Sequence, residues 1–443
     1  MESTYYKSLT LKTLYNNPDS NSRSTTGGST CRFCNKPLQH SVIDLGMSPL
    51  CQKHIKPEER NDMEPFYPLH AYICDHCWLM QLEDFATPDE IFADDYAYFS
   101  SYSESWIMHA RNYTEMMVQR FGISGKHLVI EIASNDGYLL QWFNGKGIPV
   151  LGIEPAKNVA RVAKQNGIRT EVEFFGRQTA GVLSKRYRKA NLLLGNNVLA
   201  HVPDINDFVS GMKIMLHADG IFTMEFPHLQ RLIEENQFDT IYHEHFSYLS
   251  FSVVNRIFTH HGLTLFDVEE IPTHGGSIRI FGKHSNNKSH TISERAKELL
   301  YRETALGMET LDYYANFSEQ VKETKRKLLS FLIEKKKLGK TIVGYGAPGK
   351  GNTLLNYCGI RTDFLDYTVD RSPHKQGNFL PGSHIPILAP EKIKETKPDY
   401  VLILPWNLKK EITTQMQYIR EWGGSFIVPI PEVSILKDEE ILI

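Results

Sequence analysis

A chain of 443 residues, 41% hydrophobic and 23% charged, holds material for more than one packed core and roughly two to four domains. Its formal charge of −3, with no Lys/Arg block, excludes a basic field for nucleic acid. No apolar run is long enough to span a bilayer and the first 30 residues lack an apolar signal core, so a cytoplasmic protein off the membrane is expected.

Residues 1–30 are polar and read as a flexible tail, although Tyr5, Tyr6, Leu9, Leu11, Leu14 and Tyr15 would let a short extension pack. The first chemical signal follows at once. Cys31-Arg32-Phe33-Cys34 and Cys74-Asp75-His76-Cys77 are two CxxC turns, each aiming a pair of thiolates at one ion. Together they complete a tetrahedral site with no open position, which describes structural zinc. The gap between them requires a small strand-rich insert. His40, His54, His70 and His76 are alternative ligands, and Cys51 reads as a small buried residue.

Tyr96, Tyr98 and Tyr102 lie in a tyrosine-dense stretch and either line a site or cap a hydrophobic seam. Trp106, Ala110, Tyr113, Met117 and Phe121 then recur at helical spacing, with Gly122 as the stop. An αβ alternation follows. The run His127 to Ile132 is a buried strand, Ala133-Ser134-Asn135-Asp136-Gly137 the turn, and Val150 to Glu154 a second strand ending on an acid. That acid falls near the spacing at which doubly wound folds present a carboxylate to ribose hydroxyls. Asn191 to Gly195 is a strand opening into Asn196-Asn197-Val198-Leu199-Ala200-His201, and Gly220 to Glu225 is another. Ligands of such sheets sit at the carboxyl ends of the strands, where Asp136, Glu154, Asn196, Asn197 and His201 all fall.

Tyr242-His243-Glu244-His245-Phe246-Ser247-Tyr248 concentrates two histidines, a carboxylate and two phenols in seven residues. Few stretches hold so many groups able to move a proton near neutral pH. Ser250 or Ser252 caps the next helix, which Gly262 stops; Thr273-His274-Gly275-Gly276-Ser277 then turns into another strand. The polar break at His284 to Lys288 is a plausible boundary, and Ser293 to Leu338 reads as one long charged helical region. A second αβ unit carries Gly344-Tyr345-Gly346-Ala347-Pro348-Gly349-Lys350 between a strand and a helix, where a G-x-G-x-x-G suits a diphosphate or makes a tight turn.

In this order, the paired CxxC turns, Glu131-Ile132-Ala133-Ser134-Asn135-Asp136-Gly137, Asn196-Asn197…His201, Tyr242-His243-Glu244-His245, Thr273-His274-Gly275-Gly276 and Gly344…Lys350-Gly351-Asn352-Thr353 resemble the three-domain, S-adenosylmethionine-dependent C-methyltransferases of nucleotide-linked 4-keto sugars. The resemblance covers about residues 31–443. It implies an α/β protein with a small zinc-binding N-terminal domain (31–100), a central Rossmann-like class I methyltransferase domain (101–284) and a C-terminal Rossmann-like α/β domain that holds the nucleotide sugar (285–443). It further implies S-adenosyl-L-methionine and structural zinc as cofactors, a nucleotide-activated keto sugar as partner, and a monomer or weak dimer.

For site residues the resemblance implies His245 as the base, with Tyr242, Glu244, His201 and Tyr96 around it. Asp136, Gly137, Glu154, Asn196 and Asn197 fall to the methyl donor. Gly344, Gly346, Gly349, Lys350 and Asn352 fall to the nucleotide sugar, and Cys31, Cys34, Cys74 and Cys77 to zinc. Ala133 departs from the family's usual glycine, and Pro348 and Gly349 replace small alanine-like residues. A sugar carbon becomes a nucleophile only as an enolate, so this chemistry needs a base and donors aimed at the enolate oxygen. Alternative readings are methylation of another acceptor or at oxygen, an NAD(P)-dependent oxidoreductase using Gly344-x-Gly346-x-x-Gly349, and a non-catalytic zinc-containing binding module.

Overall fold

The computed structural model describes residues 29–85 and 99–436. Tyr96 and Tyr98, and all but the last residues of the N-terminal tail, lie outside these. The strands form three sheets. The first holds β1 (His40–Ser48), β2 (Tyr67–Ile73), β3 (Met80–Leu82) and, from much later in the chain, β9 (Ser247–Tyr248). β3 and β9 run antiparallel, with Met80 opposite Tyr248 and Gln81 opposite Ser247.

The central sheet contains β4 (Val129–Ile132), β5 (Val150–Ile153), β6 (Thr170–Glu171), β7 (Ala190–Asn196), β8 (Leu216–Pro227), β10 (Leu263–Ile271) and β11 (Ser277–His284). Their order is β10-β11-β8-β7-β4-β5-β6, with β11 antiparallel to β8 and the strands from β8 to β6 parallel. The winding reverses between β4 and β7, and a crevice opens there beyond the carboxyl ends of the strands. The four residues of β4 are buried on both faces, as continuous apolar runs in parallel sheets require.

Helix Glu104–Phe121 covers one face. The Ser103 hydroxyl accepts the Trp106 N–H, Gly122 ends the helix at φ +63°, and Trp106, Ala110, Tyr113 and Met117 point inward. On the other face, the Ser250 hydroxyl accepts the Val253 N–H at the start of helix Phe251–His260.

The expected single helical region from Ser293 to Leu338 is two helices, Glu294–Ala305 and Phe317–Lys337. Gly307 at φ +76° ends the first, a conformation that costs glycine little. Ala296 and Leu299 of that first helix lie in the same core cluster as β10 residues. We therefore place the change of core after Ala305 and not at the polar break near His284.

The third sheet, β14-β13-β12-β15-β16-β17, uses β12 (Ile342–Tyr345), β13 (Thr368–Val369), β14 (Ile387–Leu388), β15 (Tyr400–Ile403), β16 (Ser425–Val428) and β17 (Ser434–Ile435). Its core is continuous with Ile43, Leu69 and Met80 of the first sheet and with Phe238 and Ile241 before the His-Glu-His stretch. Cys31, Cys74 and Leu79, in contrast, pack into the central core. The cysteine-bearing unit is thus wedged between the two larger ones, and β9 ties the proton-handling stretch to it.

Candidate active site

One cleft of about 550 Å³ gathers most of the expected residues. Its walls include Asn135, Glu154, Asn196 and Asn197 from the central sheet and His201, Tyr242, Glu244 and His245 beside them. Gly349, Lys350, Lys375 and Asn407 close it from the third sheet, and Gln52 from the first.

At one end Glu154 stands at the tip of β5, 5% exposed. Its oxygens accept the Asn135 and Ala156 N–H groups, each at 2.9 Å. Burial pushes its pKa up to about 7, against those hydrogen bonds. Asn196 and Asn197 each turn a buried side-chain oxygen without a partner to this region. Ile132, Ile153, Phe174 and Phe175 supply apolar wall. A carboxylate for a diol, acceptors for an ammonium and apolar surface for a purine form a donor set that fits S-adenosyl-L-methionine.

Two expected donor residues lie elsewhere. Asp136 is buried outside the lining and accepts the Ser101 N–H at 3.2 Å, while the Asn135 side chain accepts from Ser100 at 2.8 Å. Gly137, at φ +82°, faces Ile168, whose Cγ1 lies 2.9 Å from where a Cβ would sit. Ala133 adopts φ +56°, a left-handed conformation that costs a non-glycine residue about 1–2 kcal/mol.

At the other end His245 is fixed in one tautomer. Its Nδ1–H donates to the Thr240 carbonyl at 2.8 Å, so Nε2 carries the lone pair, which accepts the Tyr242 hydroxyl at 2.7 Å. The His201 ring meets it edge-on with centroids 4.7 Å apart. Burial, then the neighbouring His201, holds the His245 pKa well below the ordinary histidine value. His201 is lowered to about 4 by burial. Both rings are neutral near pH 7.

Glu244 meets a different partner. Its Oε1 lies 3.5 Å from the Cys51 thiol, so Cys51 is more than an apolar filler, and burial raises the carboxyl pKa to about 7. His243 bonds the Pro68 carbonyl at 3.1 Å and belongs to the framework.

Lys350 is half-buried, donates to Asn407 Oδ1 at 2.9 Å and lies over the Trp406 ring at 4.5 Å. Burial pushes its pKa down, opposed by Asp239. Of the glycine-rich turn, Pro348, Gly349 and Lys350 reach the cleft, and Gly344 and Gly346 do not. A Cβ on Gly344 would sit 2.7 Å from Thr368 Oγ1, and one on Gly346 2.5 Å from Pro405 Cδ, so these glycines serve close packing. Asn352 is 1% exposed and outside the lining.

Gln52, Trp106, Asn135, His274, Lys375 and Asn407 line the cleft without having been assigned to it from sequence. His274 stood in the Thr273-His274-Gly275-Gly276 turn and Asn135 in the Ala133–Gly137 turn, the signals available. His274 adopts φ +56° and meets Trp106 edge-on at 5.1 Å.

The four cysteine sulfurs lie within 4.8 Å of one another, with Cys31–Cys77 and Cys34–Cys74 at 3.5 Å. Tetrahedral zinc with Zn–S near 2.3 Å sets sulfurs roughly 3.8 Å apart, so the set fits. Gln81 Nε2 donates to Cys31 Sγ at 3.2 Å. His40 pairs with Asp75 and His70 with Ser41 and Tyr72, and the candidate metal cluster holds no histidine.

The doubly wound sheet, with an acid at the tip of its second strand and asparagines at the switch point, defines a class I methyltransferase. Family models agree: "Methyltransferase domain" matches residues 107–268, "C-methyltransferase C-terminal domain" 272–431 and "Putative zinc binding domain" 31–92. The chain is 37% identical over 415 residues to the C-methyltransferase NovU of Streptomyces niveus, covering 93% of this chain and 98% of that protein. It belongs to the S-adenosylmethionine-dependent C-methyltransferases built from these three parts, and its cofactors are S-adenosyl-L-methionine and zinc.

Among solved structures, the magnesium protoporphyrin IX methyltransferase of Synechocystis matches at 14% identity and TM-score 0.31, over 40% of this chain and 79% of that one. A S-adenosylmethionine-dependent methyltransferase of Clostridium acetobutylicum matches at 9% and 0.33, over 41% and 92%. Among the described residues no helix is long and apolar enough to cross a membrane.

Exchanging Glu154 for glutamine is expected to weaken donor binding about 10–100-fold by calorimetry, the worth of charge-assisted hydrogen bonds to a diol. A diol donates to the ionised carboxylate. Donor affinity of the unaltered chain should therefore fall as pH drops through about 7, where Glu154 takes up a proton, and the glutamine variant should lack that dependence.

Proposed function

We propose that this enzyme methylates a carbon next to the ketone of a nucleotide-linked 4-keto-deoxysugar, through an enolate made by His245. What carries the reading is the neutral His245, its lone pair fixed on Nε2, in the same cleft as Glu154. When bound, S-adenosyl-L-methionine supplies an electrophilic methyl carbon on a positively charged sulfur.

The rest falls to the chain's own groups. His245 Nε2 takes the proton from the carbon beside the ketone, and the C–H electron pair moves toward the carbonyl as an enolate. The Tyr242 hydroxyl occupies the Nε2 lone-pair direction in the free enzyme. Once the acceptor displaces it, it can donate to the enolate oxygen, with His201 and Lys350 on the adjoining walls. The enolate carbon then forms the new C–C bond to the methyl group as the methyl–sulfur bond breaks and its electron pair stays on sulfur. Lys375, whose Nζ donates to the Ala347 carbonyl, and Lys350, in the first turn of helix Gly349–Cys358, both line the cleft and suit a diphosphate. Glu154 and the two asparagines hold the donor opposite.

The test is hydrogen exchange in deuterated water. Candidate 4-keto nucleotide sugars should exchange the proton beside the ketone with enzyme alone and gain a methyl group when the donor is added. The corresponding 4-hydroxy sugars should do neither. Methylation of a hydroxy sugar, or no exchange with any keto sugar, would sink the enolate route and favour another acceptor.

A further inference from the structure

We infer that Gln52, on the loop after β1, accepts a hydrogen bond from a hydroxyl of the acceptor sugar, so that the zinc-binding domain supplies part of the acceptor site. This rests on the nucleotide-sugar reading above. The loop is held firmly: Ile55 exchanges main-chain hydrogen bonds with Phe379 at 3.0 and 2.8 Å. A Cβ on Gly349 would sit 2.8 Å from Cys51 Sγ and 3.5 Å from Gln52 Nε2, so the loop abuts the start of helix Gly349–Cys358. Cys51 touches Glu244, which places Gln52 beside the proton-handling stretch and away from the donor end.

Gln52 lines the cleft, and its Oε1 is buried with no hydrogen-bond partner. A buried amide oxygen left unpaired is costly, so its place in a ligand cleft points to a ligand donor. The cleft's cations, Lys350 and Lys375, bond Asn407 and the Ala347 carbonyl at 2.9 Å, and neither donates to Gln52. A diphosphate oxygen and a ketone both lack a proton to give. A sugar carries donors in its hydroxyls, and next to Glu244 the sugar is the part of the acceptor within reach.

The experiment compares the unaltered enzyme, Gln52→Met and Gln52→Glu on a keto nucleotide sugar and on analogues each lacking one hydroxyl. Gln52→Met should lower kcat/KM about 10-fold on the parent, and that loss should shrink to about 2-fold or less on one deoxy analogue. Gln52→Glu, which keeps an acceptor oxygen, should retain the discrimination, and donor affinity and zinc content should stay unchanged in both. Equal losses across the panel, no loss at all, or a loss that responds only to the nucleotide base would overturn the assignment. Failure of the unaltered enzyme to use any keto nucleotide sugar would instead strike the proposed function.

Discussion

Replacing His245 by asparagine is expected to lower methyl transfer about 10³-fold while donor affinity stays within about twofold, because a general base contributes 10²–10⁴ to such a step. Asparagine can still donate to the Thr240 carbonyl that holds the ring now, so the loop should keep its shape. What it lacks is the Nε2 lone pair. Exchange of the substrate's acidic hydrogen should fall with transfer, since both need that lone pair. A variant that lost transfer but kept exchange would move the base elsewhere, with His201 the next candidate by position. Removing the Tyr242 hydroxyl should cost less, because it bonds His245 Nε2 without itself carrying that lone pair. The acidic limb of the exchange rate should lie below the ordinary histidine range, as burial disfavours the charged ring.

How far the sequence foretold this site depends on how local each signal was. The CxxC turns, the acid closing β5 and the cap at Ser250 are set by neighbouring residues, and they are found where the spacing placed them. In the donor turn the cleft-lining residue is displaced by one position from the expected one. Ala133 and Asn135 both adopt positive φ, so the side-chain alternation of β4 does not continue, and Asn135 rather than Asp136 faces the cleft. Glycine is ambiguous for another reason. A missing Cβ makes room for a ligand or for a neighbour, and for Gly344 and Gly346 the neighbours are Thr368 and Pro405. Gln52 gave no local signal at all. It reaches the cleft because its loop meets Glu244 across 193 positions of chain, a contact only the assembled fold creates.

Withdrawing the zinc, by chelation or by Cys74→Ser, is expected to end methyl transfer although no cysteine ligand lines the cleft. Four thiolates leave the ion no open position, so its role is to hold structure, and structural zinc contributes roughly 10–16 kcal/mol of apparent binding energy. That energy reaches His245 by a short route. Gln81 donates to Cys31 and sits in β3, which pairs with β9; the Leu82 N–H donates to the Phe246 carbonyl at 3.0 Å, one residue from His245. The residues proposed for the donor stand at the ends of β4, β5 and β7, which share no strand pairing with that sheet, although Cys31 and Cys74 pack against the same core. Zinc loss should therefore be asymmetric: turnover falls more than about 100-fold and the melting temperature drops, while donor binding by the still-folded central domain changes little. Metal-free enzyme with full turnover would break the link between β3 and the base. Equal loss of donor binding would mean that the central sheet also depends on the metal.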